Sequence, residues 1–290
     1  MTEKVFGESG SWPLYPIHDG KPLPSDHAEF DFDDPAAPVH DRVLGDVFHP
    51  RVFAYAPKTP NGRAALVLAG GGYTKLVIGK EGVEVAEWLC SLGFHAFVLA
   101  HRFPSARYGS QAPVDDAIEA MRQIRARAGE FGLDPRGIGV CGLSSGGHLA
   151  ACLASHYPAS WSPPVTQHPD VSPVPGFLII GYAPISTNAT GRTIIPNKPP
   201  LPPPEKQALY ETMQPDVQLV DHPPPAFIVY SANDDVVPVE NAYRLHKALH
   251  AKGANAELHV FANAPHGFAL RKKGLPVDRW PEACEAWLKQ

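Results

Sequence analysis

The segment of the sequence with the clearest chemical signal covers residues 139–148. It contains a serine between two glycines, in the pattern Gly142-x-Ser144-x-Gly146. An apolar segment precedes this pattern and a helix-like run of small residues follows it, which predicts a strand, a sharp turn and a helix. On such a turn a serine hydroxyl is exposed for nucleophilic attack on a carbonyl group. The alternative is a purely structural, glycine-rich turn that packs a helix against a sheet.

Only one of the two adjacent serines suits this turn. The strained backbone requires small residues two positions away on each side, and Ser145 has Leu143 at that distance. We therefore predict that Ser144 is the nucleophile. The backbone N–H of Ser145, at the N-terminus of the predicted helix, is expected to bind an oxyanion. His148 is expected to pack or hydrogen-bond within the structure.

A second glycine cluster, Gly70-Gly71-Gly72, follows an apolar segment of strand length. Glycine lets a backbone N–H approach a developing oxyanion closely, and esterases carry such a loop at this point of the chain. We predict Gly71 and Gly72 as donors, and the choice between these neighbours stays open. A phosphate-binding loop is the competing interpretation, but the sequence contains neither a following Gly-Lys-Ser/Thr nor a Gly-x-Gly-x-x-Gly pattern.

Candidates for the acid and the base follow two later strand-like segments. Asp234 and Asp235 come after the apolar segment 226–230, and either could instead cap the helix that begins near Val239. His266 lies between a proline and a glycine, after the last predicted strand. At this position its imidazole is placed to take the Ser144 proton while a carboxylate holds its other nitrogen.

The elements that must position these residues alternate along the chain. Helix-like patterns cover residues 114–128 and 239–252, and residues 47–56 are predicted to form an edge strand. The short apolar segments predicted as buried strands are 64–69, 96–100, 138–141, 177–181, 226–230 and 258–261. This alternation predicts an α/β fold with a doubly wound, mostly parallel sheet and helices on both faces.

We predict a single catalytic domain over residues 46–290, preceded by an extended arm over residues 1–45. The chain has 33 prolines, many of them in long loops. A Pro-rich segment at about 185–222 separates two predicted strands, and we expect it to form a cap over the site because long loops inside a domain are often functional.

Composition excludes several other functions. The formal net charge of −5 gives no basic surface for nucleic acid or an anionic membrane. The four cysteines form no Cys-x-x-Cys pair, so neither a disulfide framework nor a metal site is expected, and no cofactor is predicted. Residues 1–7 lack the apolar segment of a signal peptide, so we expect a cytoplasmic protein.

Several segments together resemble the bacterial acetyl xylan esterase-like enzymes, a carboxylesterase family of the α/β-hydrolase superfamily. The glycine loop with Glu81-Gly82 and the segment 85–89 is similar to that family's "PGGGY … EG … VAxWL" signature. The further segments that carry the resemblance are 96–102, 142–150, 224–241 and 265–268, with tryptophans at 280 and 287. The similarity covers most of residues 60–290. This chain departs from the pattern at His101, where the family has tyrosine, and in the Pro-rich stretch 190–204.

The resemblance implies an α/β-hydrolase fold and a catalytic triad in the order serine, aspartate, histidine. Alignment on Val236-Val237-Pro238 places Asp234, rather than Asp235, at the catalytic aspartate, with His266 as the base. It also implies a serine esterase that acts on short acyl groups, acetyl first, in a small-molecule or carbohydrate ester such as acetyl xylan. An amidase or peptidase of the same fold and a catalytically inactive binding protein are the alternatives. Homo-oligomer formation is left open.

Overall fold

The computed structural model describes residues 5–15, 17–18, 21–22 and 30–290. The remaining positions of the predicted arm lie outside the described residues. Eight strands form one sheet, and their bounds are β1 Gly10–Pro13, β6 Arg51–Tyr55, β7 Ala64–Leu68, β8 His95–Ala100, β9 Ile138–Leu143, β10 Leu178–Gly181, β11 Ala226–Ser231 and β12 Ala256–Phe261. Two small antiparallel pairs accompany it, namely β2 Ile17–His18 with β3 Lys21–Pro22 and β4 Phe30–Phe32 with β5 Leu44–Val47.

The order of strands in the large sheet is β1-β6-β8-β7-β9-β10-β11-β12. Six adjacent strands of this sheet run parallel, namely β8, β7, β9, β10, β11 and β12. Strand β6 is antiparallel to both β8 and β1. Every residue of β7 through β11 is buried, because helices cover both faces. The doubly wound, mostly parallel sheet predicted from the sequence is confirmed.

Seven α-helices are present among the described residues, and they are α1 Glu84–Ser91, α2 Ala112–Ala126, α3 Ser145–Cys152, α4 Pro204–Thr212, α5 Pro215–Gln218, α6 Glu240–Ala251 and α7 Trp280–Leu288. The two helices predicted over 114–128 and 239–252 correspond to α2 and α6, with ends shifted by one or two residues. The apolar stripe of α2 is buried, as its period of 3.6 residues requires.

The prediction that residues 47–56 form an edge strand is wrong. β6 pairs with β8 on one side and with β1 on the other, so the edge position belongs to β1. Pro50 precedes β6 and does not interrupt its ladder. The partner that covers this edge comes from the segment predicted as an extended arm, about 40 residues earlier in the chain, and a local pattern carries no information about such pairing.

The carboxyl ends of the parallel strands bring the predicted site residues to one edge of the sheet. The glycine loop follows β7, Ser144 follows β9, Asp234 follows β11 and His266 follows β12. Ligands of open parallel sheets bind at this edge.

Neither a membrane-spanning helix nor a metal site occurs among the described residues. No helix there is both long and apolar enough to cross a bilayer. No cluster of histidine, cysteine and acidic side chains in the described ranges has the arrangement of a metal site. All four cysteines are free thiols.

An ion pair between α2 and the loop after β8 stabilises this part of the fold. Asp116 is fully buried, accepts the backbone N–H of Arg102 at 2.8 Å and pairs with its Nη2 at 2.6 Å. Removing one partner of such a pair leaves the other charge uncompensated.

We therefore expect Asp116→Asn to lower the free energy of unfolding by about 3 kcal/mol, measured by urea denaturation. Glu130→Gln is the matched control, because Glu130 pairs with Arg127 at the exposed surface and its loss should leave stability essentially unchanged. Equal stabilities of the two variants would contradict this account.

Candidate active site

Ser144 lies on a strained turn between β9 and α3. Its φ of 53° and ψ of −126° are a conformation that residues other than glycine rarely adopt. A Cβ added to Gly142 would lie 2.2 Å from the Gly146 carbonyl oxygen, and one added to Gly146 would lie 2.0 Å from that of Leu68. Both positions therefore require glycine, and this close packing holds the serine in place.

Three side chains meet at this turn in a continuous hydrogen-bonded chain. The Ser144 Oγ lies 2.9 Å from Nε2 of His266, and the Nδ1 of His266 lies 2.7 Å from Oδ2 of Asp234. The carboxylate accepts from Nδ1–H, which leaves Nε2 as the acceptor of the serine proton in the neutral imidazole. The Asp234 side chain is completely buried, whereas that of His266 is 18% exposed and accessible to a substrate.

The structure brings Asp234, and not Asp235, to the histidine. The second carboxylate oxygen of Asp234 accepts the backbone N–H groups of Val236 at 2.9 Å and Val237 at 2.8 Å. These bonds orient the carboxylate toward His266. Asp235 is exposed to solvent.

The glycine loop lies beside Ser144, but its three N–H groups have different surroundings. The N–H of Gly70 donates to Glu81 Oε2 at 2.9 Å, and that of Gly72 donates to Ser145 Oγ at 2.9 Å. The N–H groups of Gly71 and Ser145 have no acceptor within the described part of the chain. Of the three predicted donors, Gly71 and Ser145 are therefore free to bind an oxyanion.

Glu81 is a site residue whose position the sequence reasoning missed. It lies in a π-helical turn, Gly79–Val83, and is 4% exposed. Besides the N–H of Gly70, it accepts the hydroxyl of Tyr182 at 3.1 Å. Burial raises the pKa of this carboxyl, although the Gly70 N–H and the nearby Lys80 ammonium oppose the shift. The available signal was the Glu81-Gly82 pair, which belongs to the segments that carry the family resemblance.

Tyr182 connects Glu81 to the loop that carries His266. Its hydroxyl accepts the N–H of Ala269 at 3.2 Å, and its ring meets that of His266 edge-on at 5.1 Å. Trp280 Nε1 donates to the carbonyl of Ala269 at 2.6 Å. Glu81 and Tyr182 thus connect the glycine loop to the loop that carries His266.

His148 makes structural hydrogen bonds, as the sequence predicted. Its Nε2–H donates to the Met213 carbonyl at 3.0 Å, so its Nδ1 accepts the Tyr73 hydroxyl at 2.8 Å. Burial lowers its pKa to about 4, and the Met213 carbonyl opposes this shift.

The Pro-rich segment over 185–222 packs on the glycine loop and on α3. The ring of Tyr210, on α4, lies 5.7 Å from the ring of Tyr73 and 4.9 Å from that of His148. Met213 adds the hydrogen bond to His148. The segment predicted as a cap is therefore in contact with two elements of the site.

The parallel sheet, the strained serine turn and the three hydrogen-bonded side chains define an α/β hydrolase. The chain belongs to the prolyl oligopeptidase family, Peptidase_S9, whose model matches residues 105–290. The matched residues include Ser144, Asp234 and His266.

Similar proteins include two enzymes whose names refer to xylan. The chain is 28% identical over 254 residues to an acetylxylan esterase of Xylanibacter ruminicola, a match that covers 85% of this chain and 49% of that protein. It is 30% identical over 232 residues to endo-1,4-beta-xylanase B of Butyrivibrio fibrisolvens, covering 77% of this chain and 35% of that protein. The chain thus spans half the length or less of these two curated relatives.

One solved structure is similar over nearly the whole chain. The acetyl ester-xyloside bifunctional hydrolase from Caldicellulosiruptor lactoaceticus has a TM-score of 0.72 and 29% identity, over 99% of this chain and 98% of that one. The resemblance to acetyl xylan esterase-like α/β hydrolases is confirmed, and these relatives support a carboxylic ester hydrolase.

Glu81→Ala should slow the reaction of the site serine with a fluorophosphonate probe by about 10- to 100-fold, because the Gly70 N–H and the Tyr182 hydroxyl lose their acceptor. Glu81→Gln, which keeps an acceptor oxygen and the side-chain volume, should retain most of the rate. Glu84→Ala removes a nearby acid that pairs with Arg271 and serves as the control. Labelling of Glu81→Ala at the wild-type rate would refute the positioning role.

Acidification should destabilise the protein partly through His148. Since its folded-state pKa is about 4 rather than 6.5, the unfolded chain binds a proton between these values and the folded chain does not. The free energy of unfolding is therefore unaffected by this group above pH 6.5 and falls by roughly 3 kcal/mol as the pH drops to 4. Urea denaturation of wild type and His148→Gln across this window should show a shallower decline in the variant, and parallel declines would contradict the assignment.

Proposed function

We propose that this protein is a serine esterase that hydrolyses short-chain acyl esters, acetyl esters first, through a Ser144–His266–Asp234 triad. The observation that carries the proposal is the hydrogen-bonded chain from the strained Ser144 through His266 to Asp234, at 2.9 and 2.7 Å. The first distance lies in the range required for proton transfer between a nucleophile and its base, and the second is that of a hydrogen bond that orients the base.

In the first half of the reaction, Ser144 Oγ attacks the ester carbonyl carbon while His266 Nε2 takes the hydroxyl proton. The buried Asp234 carboxylate stabilises the resulting imidazolium without itself taking the proton. His266 then gives its proton to the departing alkoxide oxygen as the carbon–oxygen bond breaks. The products of this half-reaction are a free alcohol and an acyl group on Ser144.

In the second half, His266 removes a proton from a water molecule whose oxygen attacks the acyl carbonyl. Collapse of the second tetrahedral intermediate returns the proton to Ser144 and releases the carboxylic acid. In both halves the N–H groups of Gly71 and Ser145 bind the oxyanion. Gly72 does not bind the oxyanion in this mechanism, because its N–H donates to the Ser145 hydroxyl. The loss of one oxyanion donor commonly costs about 100- to 1000-fold in kcat.

The substrate class rests on the relatives. Two of them carry acetyl esters in their names, which favours acetyl groups on a small molecule or on a carbohydrate of the xylan type. A peptide or amide is the second candidate, since the matching family model is that of the prolyl oligopeptidases.

Asp234→Asn should lower kcat for p-nitrophenyl acetate by about 10⁴-fold, because the imidazole loses the partner that fixes its tautomer. Asp235→Asn is a closely matched control, since it changes the exposed neighbour and should alter kcat by less than about twofold. Ser144→Ala should abolish turnover above the residual rate. The triad would be refuted if Asp235→Asn, and not Asp234→Asn, were inactive.

Paired substrates separate the two candidate functions. We expect turnover of p-nitrophenyl acetate and little turnover of p-nitroacetanilide or of proline-containing p-nitroanilides, with rates that fall as the acyl chain of the ester lengthens. Rates that rise steadily to acyl chains of eight carbons would contradict the short-acyl proposal. Faster anilide than ester hydrolysis would favour the peptidase, and failure of a fluorophosphonate to label Ser144 would favour an inactive binding protein.

A further inference from the structure

Lys206 lies beside the glycine loop of the site. It belongs to the first turn of α4, in the segment that packs on this loop, and it is half-buried. A Cβ added to Gly72 would lie 3.8 Å from Lys206 Nζ. The ammonium group therefore reaches the loop that includes the proposed oxyanion donor Gly71.

The ammonium group of Lys206 has no partner in the described part of the chain. It forms no ion pair there and donates no hydrogen bond, whereas most other half-buried cations do. A second half-buried lysine, Lys198, donates from Nζ to the side chain of Asn188, whose backbone carbonyl accepts from Gln207, next to Lys206 in α4. These hydrogen bonds connect Lys198 to the helix that carries Lys206.

This arrangement is unfavourable for the protein alone. Partial burial penalises the Lys206 charge, and repulsion from Lys198 adds to the penalty, so both effects lower the pKa of Lys206. A cation in the first turn of a helix is also disfavoured by the helix dipole. An anionic group of a ligand would remove the repulsion and provide the missing partner, since a partly desolvated charge gains most from pairing.

We propose that Lys206, assisted by Lys198, binds a carboxylate group carried by the substrate, so that the enzyme prefers anionic esters over neutral ones of the same size. This inference rests on the proposed esterase function and names a substrate class for the same site. The carboxylate belongs either to the acyl group or to the alcohol part, as in an acetylated sugar acid, and the two sources require different test substrates.

The test compares two matched pairs of esters. For the alcohol part, 4-acetoxybenzoate is compared with its neutral amide, 4-acetoxybenzamide. For the acyl part, the mono-p-nitrophenyl ester of adipic acid is compared with p-nitrophenyl hexanoate. If the carboxylate of the natural substrate is in the alcohol part, kcat/KM of wild type should favour the anion in the first pair, and if it is in the acyl part, in the second pair. We expect a preference of about fivefold to tenfold, which becomes smaller at high salt. The pair that shows this preference identifies the source of the carboxylate.

Variants assign the preference to Lys206. Lys206→Met should reduce the preference to within about twofold, and Lys206→Arg, which keeps the charge, should retain most of it. Lys247→Met removes an exposed lysine of α6 and controls for the change in net charge. The absence of a preference in both pairs, or a preference that survives Lys206→Met, would overturn the inference. p-Nitrophenyl acetate is assayed alongside, and if wild type hydrolyses no ester at all, the proposed function fails and this inference with it.

Discussion

The backbone at Ser144 is the constraint on which the site depends. Its positive φ costs free energy in isolation and persists only where the surrounding packing determines it. That packing is the direct contact of Gly142, Gly146 and the carbonyl of Leu68, with no room for a single Cβ. The same turn exposes the hydroxyl to His266 and leaves the N–H of Ser145 free. A strand and a helix packed this closely therefore provide both the proposed nucleophile and one proposed oxyanion donor.

Hydrogen bonds between loops hold the other residues of the site in position relative to the Ser144 turn. The glycine loop, the loop that carries His266 and the segment over 185–222 follow different strands. Glu81 and Tyr182 connect the first two loops through buried bonds, and His148 connects the glycine loop to the third through Tyr73 and Met213. These bonds are strong because they are sheltered from water, and each is costly to leave unmade.

Local spacing was sufficient to predict much of this architecture. The six parallel strands, two helices and the serine turn each have a short sequence signature, and they were predicted close to their observed bounds. Residue patterns alone did not separate Asp234 from Asp235, since neighbours on a loop differ only in where their side chains point. The position of β1 at the sheet edge was missed because its partner is distant in the sequence. Glu81 was missed as a site residue because only tertiary packing brings it beneath the glycine loop.

Trapping the covalent acyl-enzyme would show directly whether Ser144 is the nucleophile of an esterase. Wild-type protein would be mixed with p-nitrophenyl acetate, quenched rapidly in acid and digested, and the peptide containing Ser144 and Ser145 sequenced by mass spectrometry. We expect one acetyl group on Ser144, absent from Ser144→Ala, together with loss of hydrolysis in that variant. An acetyl group on Ser145 or elsewhere, or hydrolysis that persists in Ser144→Ala, would contradict it.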